Sequence, residues 1–143
     1  MTDRLTGRFV VDNSVVMAWC FKDEASWYAD TVLTSLTGES AVVPGIWAQE
    51  VVNVLLVAER HKRLHESDSV RFISLLTQLP IIVEHTWPER SMKELLAIGR
   101  NYSLSAYDAA YLELAMRQGL PIATLDNKLI EAARRVDVPI LDP

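Results

Sequence analysis

Apolar residues along the chain fall into two kinds of stretch, short unbroken runs and longer segments with helical spacing. Phe9-Val10-Val11 runs straight into Asp12, and Ser14 follows two positions later. A continuous apolar run that stops at a polar turn is the pattern of a strand buried on both faces. Ala41-Val42-Val43-Pro44, Ile81-Ile82-Val83 and Pro121-Ile122-Ala123-Thr124 repeat it, and Pro139-Ile140-Leu141 predicts a last short strand. Helices are predicted between them. The first runs from Val15 to Cys20 with Ser14 as its cap, and the second from Asp23-Glu24 to about Leu36, closed by Gly38. Others cover Ile46 to about Arg63, Ser67 to Leu79, Pro88 to Arg100 with Glu89 in its first turn, and Ser105 to Arg117, ended by Gly119. A final helix follows Asp126 and reaches Val136. Strands alternating with helices imply an α/β domain, a mostly parallel sheet covered on both faces, spanning residues 1–143.

Composition narrows the class. Half of the 143 residues are hydrophobic, four of them Trp, enough to bury a real core in one domain. The single cysteine, Cys20, rules out an internal disulfide and fits a reducing cytoplasm; in Ala18-Trp19-Cys20-Phe21 it reads as a small buried hydrophobe. No leader pattern is evident, and apolar runs such as Val54 to Ala58 are too short to span a bilayer, so a soluble protein without membrane contact is expected. The net charge of −5 argues against a bulk DNA coater, but discounting four clustered carboxylates brings the remainder to −1. Acidity that local still allows a nucleic-acid substrate reached through a cation.

Four acids carry the candidate chemistry. Asp12 and Asp126 each end a strand and precede a helix, so each fits a helix cap or a ligand at the carboxyl edge of a parallel sheet. They meet if their strands are neighbours. Ser14 competes for the capping role near Asp12, and Thr124 offers a hydroxyl beside Asp126. Glu50 lies in the most apolar helix. At about 100° per residue, Gln49, Asn53 and Arg60 form a solvent stripe and Glu50 falls at its edge, in the direction of Ile46 and Val57. A carboxylate half sunk in apolar surface needs a cation or takes up a proton. In Ser105-Ala106-Tyr107-Asp108 the acid completes a capping box, which leaves one oxygen free for a ligand role. Only Lys128 is close in sequence to any of the four. Unpaired carboxylates brought together repel until a cation enters, and oxygen-only donors select Mg²⁺ or Mn²⁺.

These residues in this order resemble the PIN-domain nucleases, most closely the VapC-type toxins of toxin–antitoxin pairs. The resemblance rests on Val10-Val11-Asp12-Asn13-Ser14, on the stretch from Pro44 through Glu50 and Asn53 to Leu55, on that from Ser105 through Asp108 and Glu113 to Ala115, and on Ile122-Ala123-Thr124-Leu125-Asp126. It implies a three-layer α/β/α fold around a central, mostly parallel four- to five-stranded sheet. It also implies Mg²⁺- or Mn²⁺-dependent endoribonuclease activity, hydrolysis of RNA by metal-activated water, homodimers, and inhibition by a small antitoxin. Asp12, Glu50, Asp108 and Asp126 match the acidic quartet, which is both catalytic and metal-binding; Ser14 and Thr124 match supporting hydroxyls, and Asn53 a polar position on the Glu50 helix. Glu113 stands where some members carry an extra acid, and reads here as an exposed helix residue.

Other chemistries fit less well. His61 and His65 have zinc-ligand spacing but lack the Glu of H-E-x-x-H and read as a solvated pair; His85 is isolated. A haloacid-dehalogenase-type phosphatase needs an Asp where Ser14 stands, and a receiver domain needs one after the third strand, where Glu84 and His85 follow. A PIN-like scaffold that binds RNA or protein without cutting is the alternative from another class. The helix from Ile46 to Ala58, apolar almost all round, is expected to be buried, partly in a dimer. Trp19, Trp27, Trp47 and Trp87 are expected as core or interface anchors, and Lys62-Arg63 and Arg134-Arg135 are candidate phosphate contacts.

Overall fold

Among the described residues the apolar runs form four parallel strands, β1 (Arg8–Val11), β2 (Ser40–Pro44), β3 (Ile81–Glu84) and β4 (Ile122–Ala123). They lie in the order β3-β2-β1-β4. The computed structural model describes residues 7–85 and 91–143. Trp87, Pro88 and Glu89, and the N-terminal charges Asp3 and Arg4, lie outside the described residues.

Among the described residues seven helices accompany the strands: α1 (Asn13–Cys20), α2 (Trp27–Ser35), α3 (Trp47–Arg60), α4 (Glu66–Gln78), α5 (Ser91–Tyr102), α6 (Ala106–Gln118) and α7 (Asn127–Arg135). The chain steps from β1 to β2 to β3 in one direction, then returns past both to β4. Right-handed crossovers therefore put α1 to α4 on one face and α5 and α6 on the other, giving three layers, α/β/α. α1 packs on α2 and α3, while α6 packs on β1, β2 and α5. Every residue of α6 from Ala109 to Ala115 is buried. In β1, Phe9, Val10 and Val11 are wholly buried, as a central strand covered on both faces requires. Among the described residues no helix is long and apolar enough to cross a membrane.

Several local expectations give way to longer-range contacts. The second helix does not start at Asp23-Glu24. Lys22–Glu24 is a 3₁₀ turn, and α2 begins after Ser26, whose hydroxyl accepts from the Ala29 amide at 2.9 Å. Arg63 holds Asp23 and Glu24 at 3.2 and 3.3 Å and stacks over Phe21, so those acids serve an ion pair between segments. α3 ends at Arg60, and His61 and His65 flank a connection, both exposed, with the His65 amide held by Asp68. The predicted last strand shrinks to one parallel bridge between Ile140 and Ile122.

Burial within the single chain sorts the candidate core and interface residues. α3 is not buried all round, because Val52, Leu56 and Val57 are exposed along one side. Trp27 is 77% exposed, Trp47 is buried, and Trp19 is half-buried with its indole N–H on the Ala29 carbonyl. Cys20 is half-buried and lines an open cavity of about 740 Å³ beside Arg63 and Phe72. Glu113 is buried rather than exposed, held by Arg117 one turn on at 2.9 Å.

Candidate active site

β1 is the strand from which the chain leaves towards β2 on one side and beside which it returns as β4 on the other. At such a switch point the loops after neighbouring strands part and leave a crevice at their carboxyl ends. Val11 pairs with Ala123, and the Asp12 amide donates to the Ala123 carbonyl at 3.0 Å. Asp12 thereby stands next to Thr124, with Asp126 two residues further on.

Asp12, and not Ser14, is the N-cap of α1: its Oδ1 accepts from the Ser14 amide. Its Oδ2 accepts from the Thr124 hydroxyl and, at 3.2 Å, from that of Ser14. The Ser14 hydroxyl is turned instead to the Leu125 amide, from which it accepts at 2.9 Å. Thr124 Oγ1 accepts from the Asp126 amide at 3.0 Å. The two hydroxyls thus tie the first loop to the fourth. Asp12 is only 6% exposed, and burial pushes its carboxyl up to about 6. The bonds from Thr124 and Ser14 oppose that rise and the nearby Asp108 adds to it.

The other three acids also sit at helix starts. Glu50, in the first turn of α3, is half-buried, and its Oε1 accepts from the Tyr111 hydroxyl at 2.5 Å. Burial raises its carboxyl, Tyr111 lowers it and Asp108 raises it again. Asp108 lies in the first turn of α6, where the Ser105 hydroxyl accepts from its amide at 3.1 Å; this is the only half of the predicted capping box that forms. Its carboxyl is raised by burial and by Asp126, and lowered by Ser105 and Lys128. Asp126 caps α7, its Oδ1 accepting from the Lys128 and Leu129 amides. The charge of Asp108 thus acts on Asp12 and Glu50, and that of Asp126 acts on Asp108.

Among the described residues none of the four acids forms an ion pair. Nor do any three His, Cys, Asp or Glu side chains close around a single point that could hold a metal ion. The donors are all oxygens, and Mg²⁺ binds through one or two carboxylates while keeping several waters. The all-oxygen donor chemistry of the cluster fits a hydrated divalent cation of that kind, which Asp12, Glu50 and Asp108 would hold. The Asn13 side-chain oxygen, next in sequence to Asp12, is also buried and has no hydrogen-bond partner among the described residues.

The remaining candidates separate. Asn53 is exposed on α3, and its side chain makes no hydrogen bond to the acids among the described residues. Glu113 lies about 140° around α6 from Asp108, in a small cavity with Glu94 and Ile98, and is not part of the cluster. Arg63 is occupied by Asp23 and Glu24, whereas Arg134 and Arg135 are exposed, with Arg135 over the Tyr102 ring. Tyr111 belongs with the site although the pattern of acids gave it no role. Its signal was its position three residues after Asp108, on the same side of α6. Burial and Glu50 beside it push its ionisation up, so the hydroxyl keeps its proton.

The family model of the PIN domain matches residues 9–135. The chain belongs to the PIN-domain family. It is 27% identical over 125 residues to Ribonuclease VapC3 of Pyrobaculum aerophilum, which covers 87% of this chain and 93% of that protein. The crystal structure of PAE2754 from the same organism superposes with a TM-score of 0.64 at 21% identity, over 87% of this chain and 85% of that one, a likeness of fold. For this PIN domain the general class that follows is a nuclease.

Burial of Asp12 sets a pH dependence. Its folded pKa of about 6 lies above its ordinary 3.8, so the folded state holds the extra proton between those values. This contribution to stability is full below about pH 4 and is lost as pH rises through about 6. It amounts to about 2–3 kcal/mol. Asp12→Asn removes the penalty, so in EDTA the variant is at least as stable as the parent at pH 7.5, and its advantage shrinks at pH 4.5. Urea unfolding at both pH values measures this. A variant markedly weaker at pH 7.5 would mean that the charged carboxylate is a structural cap.

Proposed function

We propose that this PIN domain is a divalent-metal-dependent endoribonuclease, the toxin of a toxin–antitoxin pair. The observation that carries the reading is Asp12, a carboxylate nearly out of water, without a cationic partner among the described residues and under the charge of Asp108, which also acts on Glu50 and is itself acted on by Asp126. Burying a charge in that way is costly unless something positive arrives. In this reading Asp12, Glu50 and Asp108 hold Mg²⁺ or Mn²⁺, and Asp126 supports it, or a second ion, through water. Ser14 and Thr124 keep Asp12 in place, and Asn53 adds a polar group at the exposed rim of the Glu50 helix. The bound cation supplies a Lewis acid that activates water and offsets charge on the phosphodiester. Water as nucleophile breaks the bond from phosphorus to the 3′ oxygen, which takes up a proton, leaving a 5′-phosphate and a 3′-hydroxyl.

The ribonuclease named in the Pyrobaculum relative supports RNA as the substrate. Lys128 near Asp108, and exposed Arg134 and Arg135, are the cations available to grip phosphates beside the acids. The cognate antitoxin is a small protein partner, and the setting is the cytoplasm, where RNA is met and the free thiol of Cys20 stays reduced. The second reading, a PIN scaffold that binds without cutting, is favoured by one observation: no three described acids close on a single point.

Incubating the purified chain with RNA separates the two. Cleavage is expected with Mg²⁺ or Mn²⁺, abolished by EDTA, and reduced at least about 100-fold in Asp108→Asn. Binding without cleavage in either metal favours the scaffold. The exposed Val52, Leu56 and Val57 on α3 support a homodimer. Light scattering at micromolar concentration is expected to read two chains, and the mass of one chain counts against the dimer.

A further inference from the structure

We infer that Tyr111 is a positioning residue for the cation site, its hydroxyl holding the Glu50 carboxylate inside the acid cluster against repulsion from Asp108. The inference rests on the metal dependence proposed above. Tyr111 is 1% exposed and its ring is locked into the packing of α6 on the sheet. Its hydroxyl donates to Glu50 Oε1 at 2.5 Å, across 61 residues of sequence. Among the described residues this is the hydrogen bond that holds the Glu50 side chain. Ile46, the N-cap of α3, makes no side-chain capping hydrogen bond.

Glu50 is otherwise free to leave. It is half-buried, its long side chain gains rotamer freedom in water, and Asp108 repels it. Tyr111 lies one turn beyond Asp108 on α6, so a single rigid helix supplies both the acid that repels Glu50 and the donor that retains it. A buried phenol suits this role because it has one donor and its ring cannot swing away. Hydrogen bonds that orient metal-binding carboxylates typically contribute about 10–100-fold in metal affinity or activity.

Tyr111→Phe removes the hydroxyl and leaves the ring, and Ser35→Ala is the control, since it removes a partly buried hydroxyl that donates to the Val32 carbonyl at 2.6 Å within α2. Calorimetric titration of the full chain with Mn²⁺ at pH 7.5 is expected to show binding weakened about 10–100-fold in Tyr111→Phe and by less than about threefold in Ser35→Ala. RNA cleavage by Tyr111→Phe should need correspondingly more Mg²⁺ to reach half its maximum, with the maximal rate kept within about threefold. Mn²⁺ affinity equal to the parent's, or the same loss in both variants, overturns the inference. If the parent cleaves RNA while Tyr111→Phe binds Mn²⁺ as the parent does, the positioning role fails and the nuclease reading stands. If Tyr111→Phe alone weakens Mn²⁺ but the parent cuts no RNA, the nuclease reading fails and the positioning role stands.

Discussion

One carboxylate taken out of water governs the arrangement around it. Asp12 ends the central strand, between β2 and β4, where the backbone is pinned on both sides. Its two oxygens are met by an amide and two hydroxyls, yet burial still outweighs those bonds and holds its carboxyl near 6. Neutral donors soften the cost of the charge without removing it. Ser14 and Thr124 serve twice, since each also binds the backbone of the loop after β4. The same hydroxyls that tolerate the acid therefore join the loops that follow β1 and β4.

Four helix starts converge on that place. Asp12 and Asp126 are N-caps, and Glu50 and Asp108 lie in first turns. Each acid thus sits at the positive end of a helix dipole, worth roughly 0.3–1 kcal/mol at exposed sites. This offsets part of the repulsion among the four acids, while Asp108 continues to raise Asp12 and Glu50.

Much of this was legible in the chain because the signals were local. Unbroken runs such as Phe9-Val10-Val11 and Ile122-Ala123 can hardly be anything but buried strands, and an acid after each puts it at a sheet edge. Whether those edges met depended on strand order, which periodicity does not carry. The choice between Asp12 and Ser14 as cap was not legible, because Leu125 and Thr124, over a hundred residues away, decide it. Glu113 shows its Arg117 partner in the sequence, but its burial comes from α5, packed on α6. Trp27 and the outer side of α3 mark the opposite limit: apolar character does not say whether a residue meets its own core or a partner. Tyr111 stood inside a recognisable motif, yet what it does depends on Glu50, on another helix.

Manganese located in a crystal tests the cation site most directly. Anomalous scattering from a Mn²⁺-soaked crystal should give a peak among these acids, within roughly 2.2 Å of oxygens of one or two of Asp12, Glu50 and Asp108, with waters completing the coordination. A fully loaded crystal with no peak in the crevice, or one only at unrelated surface carboxylates, would contradict it.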